Sequence, residues 1–548
     1  MEKRKTVVAA ALGECVHVAG ISNFLRLADL AGWRTIFLGP AVPVQAVIEA
    51  ARREHAELVG VSYRLTPENG ERLLGIFVEE AADLREAGTR FAFGGTPLVA
   101  VKAAQFGDFF ERIFDGSETP DQVLAYLKGL FSREPGEAAF PQSALERIRW
   151  KRPYPLLRHH FGLPSMEATL AGIEQMAEAQ ALDLISLGTD QDAQENFFHP
   201  ERQDARRKGA GGVPVRTADD FRLLYAASRR GNFPLMRAYS GTDDFIRYAE
   251  MLVETIHNAW CAIPLFWFNQ MDGRGPWDLE GSIREHQHLM TWYGARAVPV
   301  ELNEPHHWGM RDASDVTFVA SGFLAAYNAR CWGVRDYIAQ FMFNSPPGTS
   351  DSMDLAKMLA ILELIEPLRR EDFRIWVQAR IGLLSHPLDV HAARGHLAAS
   401  TYLQMCLHPD ILHIVGHTEA HHAATAADII EDAALVRRAV QNALGAPDMR
   451  MDPRIQARKR ELMRETQVLL QAICDLAPSG VQDPWADAET LSRAVSLGLM
   501  DAPQLRGSRF ARGKTRTRIV DGKCLAVRED GQPLLEAARI SELRREIP

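Results

Sequence analysis

The sequence offers little that would place it in a membrane or on nucleic acid. No apolar run in its 548 residues approaches the ~20 needed to cross a bilayer. Basic charge is not in excess either: 62 Lys+Arg stand against 71 Asp+Glu, a net charge of −9, which argues against a concentrated basic face for nucleic acid. Cysteines are few and scattered (Cys15, Cys261, Cys331, Cys406, Cys474, Cys524), with no Cys-x-x-Cys. They read as reduced, mostly buried thiols and not as a disulfide framework. Repeats and low-complexity tracts are absent. Met1-Glu-Lys-Arg-Lys leads directly into strand-like sequence, so no signal peptide and a cytoplasmic location are expected.

What is present is ordinary globular sequence, 46% hydrophobic and 24% charged, long enough for two to four domains at ~150 residues each. Short apolar runs without alternation, the mark of strands buried on both faces, occur at Thr6–Ala11, Thr35–Leu38, Leu58–Ser62 and Phe91–Phe93. Helical stretches separate and follow them at Ile21–Ala31, Val44–His55, Asn69–Ala87 and Thr119–Leu130. Strict alternation predicts a doubly wound parallel sheet over residues 1–133, followed by a linker over 134–150.

A longer α/β block occupies residues 151–475. Eight strand candidates, each trailed by a helix, fall at Pro155–Arg158, Leu182–Gly188, Phe233–Tyr239, Ile263–Phe268, Val298–Asn303, Tyr337–Phe343, Ile375–Ile381 and Leu412–Val415. Eight such units in about 270 residues is the arithmetic of a (β/α)8 barrel, whose active site lies at the carboxyl ends of its strands. Polar residues cluster at those ends: Arg158-His-His, Thr189-Asp-Gln, Arg237, Asn269-Gln, Glu301-Leu-Asn-Glu-Pro-His-His-Trp, Asn344, Arg380 and His417-Thr-Glu-Ala-His-His. Residues 476–548 read as a small C-terminal extension.

The loop after the first strand, Gly13-Glu-Cys-Val-His-Val-Ala-Gly20, contains neither Gly-x-Gly-x-x-Gly nor Gly-x-x-x-x-Gly-Lys. It offers an imidazole, His17, with Gly20 allowing close backbone approach three residues on. Ser62 ends a later strand and Gly94-Gly95 another. His17-x-x-Gly20, then 41 residues, then Ser62, then Gly94-Gly95 resembles the flavodoxin-like (Rossmann-type) cobalamin-binding domain, with its Asp-x-His-x-x-Gly, Ser-x-Leu and Gly-Gly. The resemblance implies that His17 ligates the cobalt of cobalamin, while the displaced nucleotide tail runs over Ser62, Gly94 and Gly95. Two positions depart from the pattern. Cys15, with Glu14 beside it, stands for the Asp that would orient the ligand, and Arg64 stands for the Leu. A thiol is a poor substitute, so Glu14 is expected to turn in behind His17, or the cobalt–histidine bond to weaken.

The second block, from Tyr154 to Asp428, resembles the catalytic epsilon subunit of glutamate mutase (methylaspartate mutase), fused behind its cobalamin-binding subunit. Order and spacing carry the resemblance: Gly211-Gly-Val-Pro, Asn232-Phe-Pro-Leu-Met-Arg-Ala-Tyr-Ser-Gly-Thr242, Val298-Pro-Val-Glu-Leu-Asn-Glu304 and His417-Thr-Glu-Ala-His-His. It implies an adenosylcobalamin-dependent radical isomerase acting on a small carboxylate, and a homodimer. Arginines grip the substrate carboxylates in that family, because a planar fork binds them bidentately. Arg237 falls at the central one. The first-strand arginine is replaced near His160, and the segment Thr189–Asn196, around Gln194, has none. Arg158 lies close enough to compensate. Glutamate is therefore not the expected substrate.

Substrate contacts are accordingly expected at Arg158, His160, Gln194, Arg237, Asn269, Asn303, Arg380 and His417. Glu301, Glu304, His306 and His307 suit substrate ammonium or hydroxyl binding and proton transfer, with Arg237. Asn344, Glu419 and His421 are expected near the cofactor, and Lys357 is a candidate for the mouth. Two other functions compete. Cobalamin-dependent methyl transfer is one, although corrinoid methyl carriers place a four-helix cap ahead of this domain and the first strand here begins at residue 6. A non-catalytic cobalamin sensor or carrier is the other, against which the polar barrel mouth argues.

Overall fold

The computed structural model describes residues 4–118, 120–129 and 136–546. The chain divides into two compact units, Met1–Ala139 and Phe140–Pro548.

The first unit is a five-stranded parallel sheet: β1 (Thr6–Leu12), β2 (Arg34–Val42), β3 (Leu58–Tyr63), β4 (Arg90–Gly95) and β5 (Arg112–Phe114), in the order β2-β1-β3-β4-β5. β1 and β3 are buried along their whole length, which is why their sequences run apolar without alternation. The order reverses between β1 and β3, so the carboxyl ends of those two strands border the crevice where doubly wound sheets take ligands. β5 and the helix Pro97–Ala103 add to the elements legible in the sequence. The last helix spans Pro120–Leu127. Residues 119 and 130, which end the expected helix, and 132–135 at the expected linker lie outside the described residues.

The second unit contains β6 (Leu156–Phe161), β7 (Leu184–Leu187), β8 (Leu235–Ala238), β9 (Cys261–Ile263), β10 (Val300–Leu302), β11 (Asp336–Phe343), β12 (Arg374–Ile381) and β13 (Ile411–Ile414). Each pairs in parallel with its sequence neighbour, and β13 returns to β6. Only the β8/β9 seam lacks a ladder. There Ala259 N donates to Met236 O (2.9 Å) and Asn258 Oδ1 accepts from Ala238 N (3.2 Å), so the eight-stranded barrel is nearly closed. The fourth barrel strand is shorter than expected. Pro264 has no N–H to continue the ladder, and Leu265–Phe268 leave it.

The amino end of the barrel is sealed by a floor of Leu156, Leu184, Leu235, Trp260, Ile338, Trp376 and Ile411. Ala144 and Ile148 of the helix Ala144–Lys151 pack against it. This corrects the linker assignment, since residues 144–151 plug the barrel. Arg147 is fully buried because its guanidinium caps three carbonyls, those of Pro141, Asn232 and Phe233. Buried Lys151 pairs with Asp183.

The C-terminal stretch 476–548 is likewise part of this unit. Trp485 packs edge-on against Phe323 and Tyr327, and its carbonyl accepts from Asn328 Nδ2 (2.8 Å). The hairpin β14 (Thr517–Val520) and β15 (Lys523–Ala526) clamps the start of the helix Asp315–Cys331: Thr517 Oγ1 donates to Asp312 O (2.7 Å) and Cys524 N to Asp315 Oδ2 (3.1 Å). Among the described residues no helix is long and apolar enough to cross a membrane.

Candidate functional site

Strand alternation puts every second residue inside the barrel. Two residues above the floor this yields Arg158, Ser186, Arg237, Gln340, Gln378 and His413, joined by Glu301 from β10; two further on it yields His160, Tyr239 and Arg380. The barrel is therefore apolar at its base and densely polar above it, with Arg158, Arg237 and Glu301 fully buried.

Arg158 donates from Nη1 to Ser186 Oγ (2.7 Å) and from Nη2 to His413 Nδ1 (2.8 Å), and lies 3.5 Å from Glu301 Oε1. Arg237 Nε donates to the same Ser186 Oγ (3.0 Å), and its Nη2 lies 3.4 Å from His160 Nε2. Arg158 Nε and Arg237 Nη1 are buried without a partner. Arg380 donates Nε to Ile381 O (3.2 Å). Burial and the neighbouring Arg237 push the Arg158 guanidinium down to about 9. Burial beside the same arginines drives His160 and His413 well below the ordinary imidazole range, so both rings are neutral and accept from the guanidiniums.

Glu301 is the one carboxylate of this layer. Burial pushes its carboxyl up, but Arg158, Arg237 and the Trp260 hydrogen bond outweigh burial and hold it below the usual range. Its oxygens accept from Trp260 Nε1 (2.7 Å) and Gln340 Nε2 (2.6 Å). Glu304 sits in a cage of donors: Leu265 N (2.5 Å), Phe266 N (3.1 Å), Trp267 Nε1 (2.9 Å) and Trp308 Nε1 (2.7 Å). Burial still raises it to about 7 against that cage. The chain leaving β9 thus serves Glu304, and Trp267 is fully buried in the core. His306 and His307 follow with rings 4.2 Å apart; His306 Nδ1 and both nitrogens of His307 are buried without a partner. Asn303 Oδ1 is in the same condition.

A cavity of about 510 Å³ opens at the carboxyl ends of β6, β7 and β13, walled by His159, His160, Gly188, Glu419, His421 and His422 among others. His160 thus joins the cavity to the arginines. His417 Nδ1 lies 2.7 Å from Asp432 Oδ1, both buried. Asp432, on the helix Ala426–Ala443, is a site residue that the sequence did not single out, as are Ser186, His413, Gln340 and Gln378. Of the strand residues only Gln378 carried a local signal, two residues before Arg380; Ser186, Gln340 and His413 lie on other strands.

Other expected residues hold loops. Gln194 Nε2 donates to Thr189 O (2.9 Å), Asn269 Nδ2 to Phe266 O (3.0 Å) and Ser282 Oγ (2.8 Å). Asn344 spans Asp351 (3.2 Å) and Ser400 (2.9 Å). Lys357 is buried between Asp354 (2.8 Å) and Asp315 (3.3 Å), not at the mouth. His421 and His422 meet each other through Nδ1 (2.9 Å), both exposed. Among the described residues, no group of three or more His, Cys, Asp or Glu side chains is placed to hold a metal ion.

At the carboxyl edge of the first sheet, His17 is exposed in the loop between β1 and the helix Ala19–Leu30. Ser62 Oγ, at the end of β3, is buried without a partner. Gly94 and Gly95 end β4. A Cβ on Gly95 would lie 2.8 Å from the Phe93 ring and 3.1 Å from Tyr63 O, so the backbone there needs glycine, whereas one on Gly20 or Gly94 would meet nothing. Arg64 is exposed. Cys15 is fully buried in the core. Glu14, expected behind His17, instead accepts from Tyr63 Oη (2.7 Å), which holds its carboxyl below the usual range, while burial and Glu14 together push the Tyr63 phenol up to about 12.

No family model matches the chain, and no curated protein matches it. Among solved structures, similarity extends to a cobalamin-binding protein from Desulfitobacterium hafniense DCB-2, at 22% identity over 23% of this chain and 57% of that one, with a TM-score of 0.20. It extends also to a Rubisco-like protein from Rhodopseudomonas palustris, at 11% identity over 60% and 80% of the two chains, TM-score 0.32. A third is the cobalamin-dependent S-adenosylmethionine radical enzyme OxsB, at 12% identity over 81% and 57%, TM-score 0.19. Overlaps of this size leave the assignment to the residues themselves.

Proposed function

We propose that the chain is a cobalamin-dependent carbon-skeleton isomerase that uses adenosylcobalamin and acts on a small carboxylate other than glutamate. The observation that carries this reading is the convergence at the β1/β3 crevice of exposed His17, the orphaned hydroxyl of Ser62 and the Gly94-Gly95 backbone. An unpartnered buried hydroxyl beside Gly94, where even a Cβ would meet nothing, fits a ligand that supplies an acceptor there. In this reading the first unit is a flavodoxin-like cobalamin-binding domain in which His17 holds the cobalt and Ser62, Gly94 and Gly95 hold the nucleotide tail. Bound adenosylcobalamin supplies a homolysable cobalt–carbon bond, chemistry that no side chain here possesses. The barrel's own residues bind and orient the substrate. Arg158, Arg237 and Arg380 present donors without acceptors to an incoming carboxylate, and the neutral His160 extends that surface to the cavity.

The test is anaerobic incubation with adenosylcobalamin followed by pools of small carboxylic acids. A cob(II)alamin signal triggered by one pool supports the isomerase. Demethylation of methylcobalamin by a thiol or amine, without homolysis under any acid, would assign methyl transfer instead.

A further inference from the structure

We infer that the barrel selects a small organic dianion carrying no ammonium group. This rests on the carboxylate reading above and narrows it.

Three guanidiniums, Arg158, Arg237 and Arg380, project from the strands into the barrel against one carboxylate, Glu301. Buried charge is tolerated only when it is paired, so two positive charges await partners. The donors are waiting too: Arg158 Nε and Arg237 Nη1 are buried and unbonded, and Arg380 is bonded only through Nε. Two carboxylates would balance both the charge and the donors.

An ammonium would need a charged partner, and the interior acids are already occupied, leaving only the neutral amide oxygens of Asn303, Gln340 and Gln378 free to accept. Glu301 receives Trp260, Gln340 and Arg158; Glu304 receives two backbone N–H groups and two indoles. His413 faces the guanidinium of Arg158 and His160 that of Arg237, which spends their lone pairs. The accessible acid on the cavity wall is Glu419, which burial raises and the charge of Arg380 draws down. A substrate ammonium beside it would enter the field of three like charges. On this inference Glu301 and Glu304 do not serve an ammonium.

Calorimetric titration of the intact chain with three five-carbon acids tests this directly. Glutarate is the dianion, glutamate adds the ammonium, and valerate removes one carboxylate. Glutarate should bind at least ~10-fold more tightly than either of the others. Arg380→Gln should bring glutarate toward valerate. Glutamate binding as tightly as glutarate overturns the inference, and loss of that binding in Glu419→Gln would assign the ammonium to Glu419. Failure of all three acids to bind overturns the carboxylate reading with it. Cobalamin uptake, followed separately in the visible spectrum, reports on the cofactor assignment independently of either result.

Discussion

Arg158 and Arg237 donate to one and the same oxygen, Ser186 Oγ, at 2.7 and 3.0 Å. β7 lies between β6 and β8, so its serine stands between two like charges that would otherwise splay. Ser186→Ala removes that acceptor and strands two buried donors, a cost of ~1–3 kcal/mol. Carboxylate affinity should fall about tenfold or more, the amount that 1.4 kcal/mol represents, and the melting temperature should drop. Ser186→Thr, which keeps the hydroxyl, should restore most of both. Unchanged affinity in the alanine variant would show that the pair does not bind substrate.

Acid should unfold the barrel steeply. His160, His413, His306 and His307 are held well below 6.5 by burial, with neighbouring charged or imidazole groups adding to it, so the folded chain refuses protons that the unfolded chain accepts. Their contribution to stability is complete above pH 6.5 and is lost as pH falls below it, by ~1.4 kcal/mol per pH unit for each ring. Glu304 runs the other way. Its carboxyl is raised from 4.5 to about 7, so its contribution is present below pH 4.5 and lost as pH rises through 7. Near pH 5.5 these five groups together should take up about three protons on unfolding. Denaturant melts across pH measure the slope, and His413→Asn should lower it by about one proton.

Ser62→Ala separates cofactor binding from folding. Its Oγ has no partner in the chain, so its loss should leave the unfolding free energy within about 0.5 kcal/mol of wild type or raise it slightly. Cobalamin affinity should fall about tenfold. A large loss of stability with unaltered affinity would make Ser62 a structural residue.

Gly416→Ala should disturb the dyad behind it. A Cβ there would stand 2.3 Å from Asp432 Oδ2 and 3.2 Å from His159 Nε2, so Asp432 must move away from His417. The His417 imidazole resonances, read by nitrogen NMR, should shift while His286, buried on the helix Leu279–Ala295, should not. An unmoved His417 signal would show that the backbone absorbs the methyl group elsewhere.

Much of this fold is legible in the sequence because parallel strands buried on both faces carry unbroken apolar runs. β1 and β3 announce themselves in that way, whereas β2 is only partly buried and β9 meets its expected range only at Ile263. β5 is three residues long and half-buried, too short to leave a pattern. The helix Ala144–Lys151 carries Arg147, Arg149 and Lys151 and falls largely within the expected linker. Yet Arg147 finds its carbonyl partners on Asn232 and Phe233, and Lys151 finds Asp183, far away in sequence. The arginine cluster was legible only in part for a similar reason. Arg158, Arg237 and Arg380 come from three strands, and only closure of the barrel brings them onto one interior. Asp432 is fifteen residues beyond His417 and on a helix, so nothing local links the two.

The central claim is that the first unit seats cobalamin through His17. Titration of the intact protein with adenosylcobalamin, followed by visible absorption, tests it most directly in wild type and in His17→Ala. Saturable binding with the spectral change of an exchanged lower base in wild type, weakened at least ~10-fold and spectrally silent in His17→Ala, is the predicted result. The absence of saturable binding, or identical titrations for both proteins, would contradict the account.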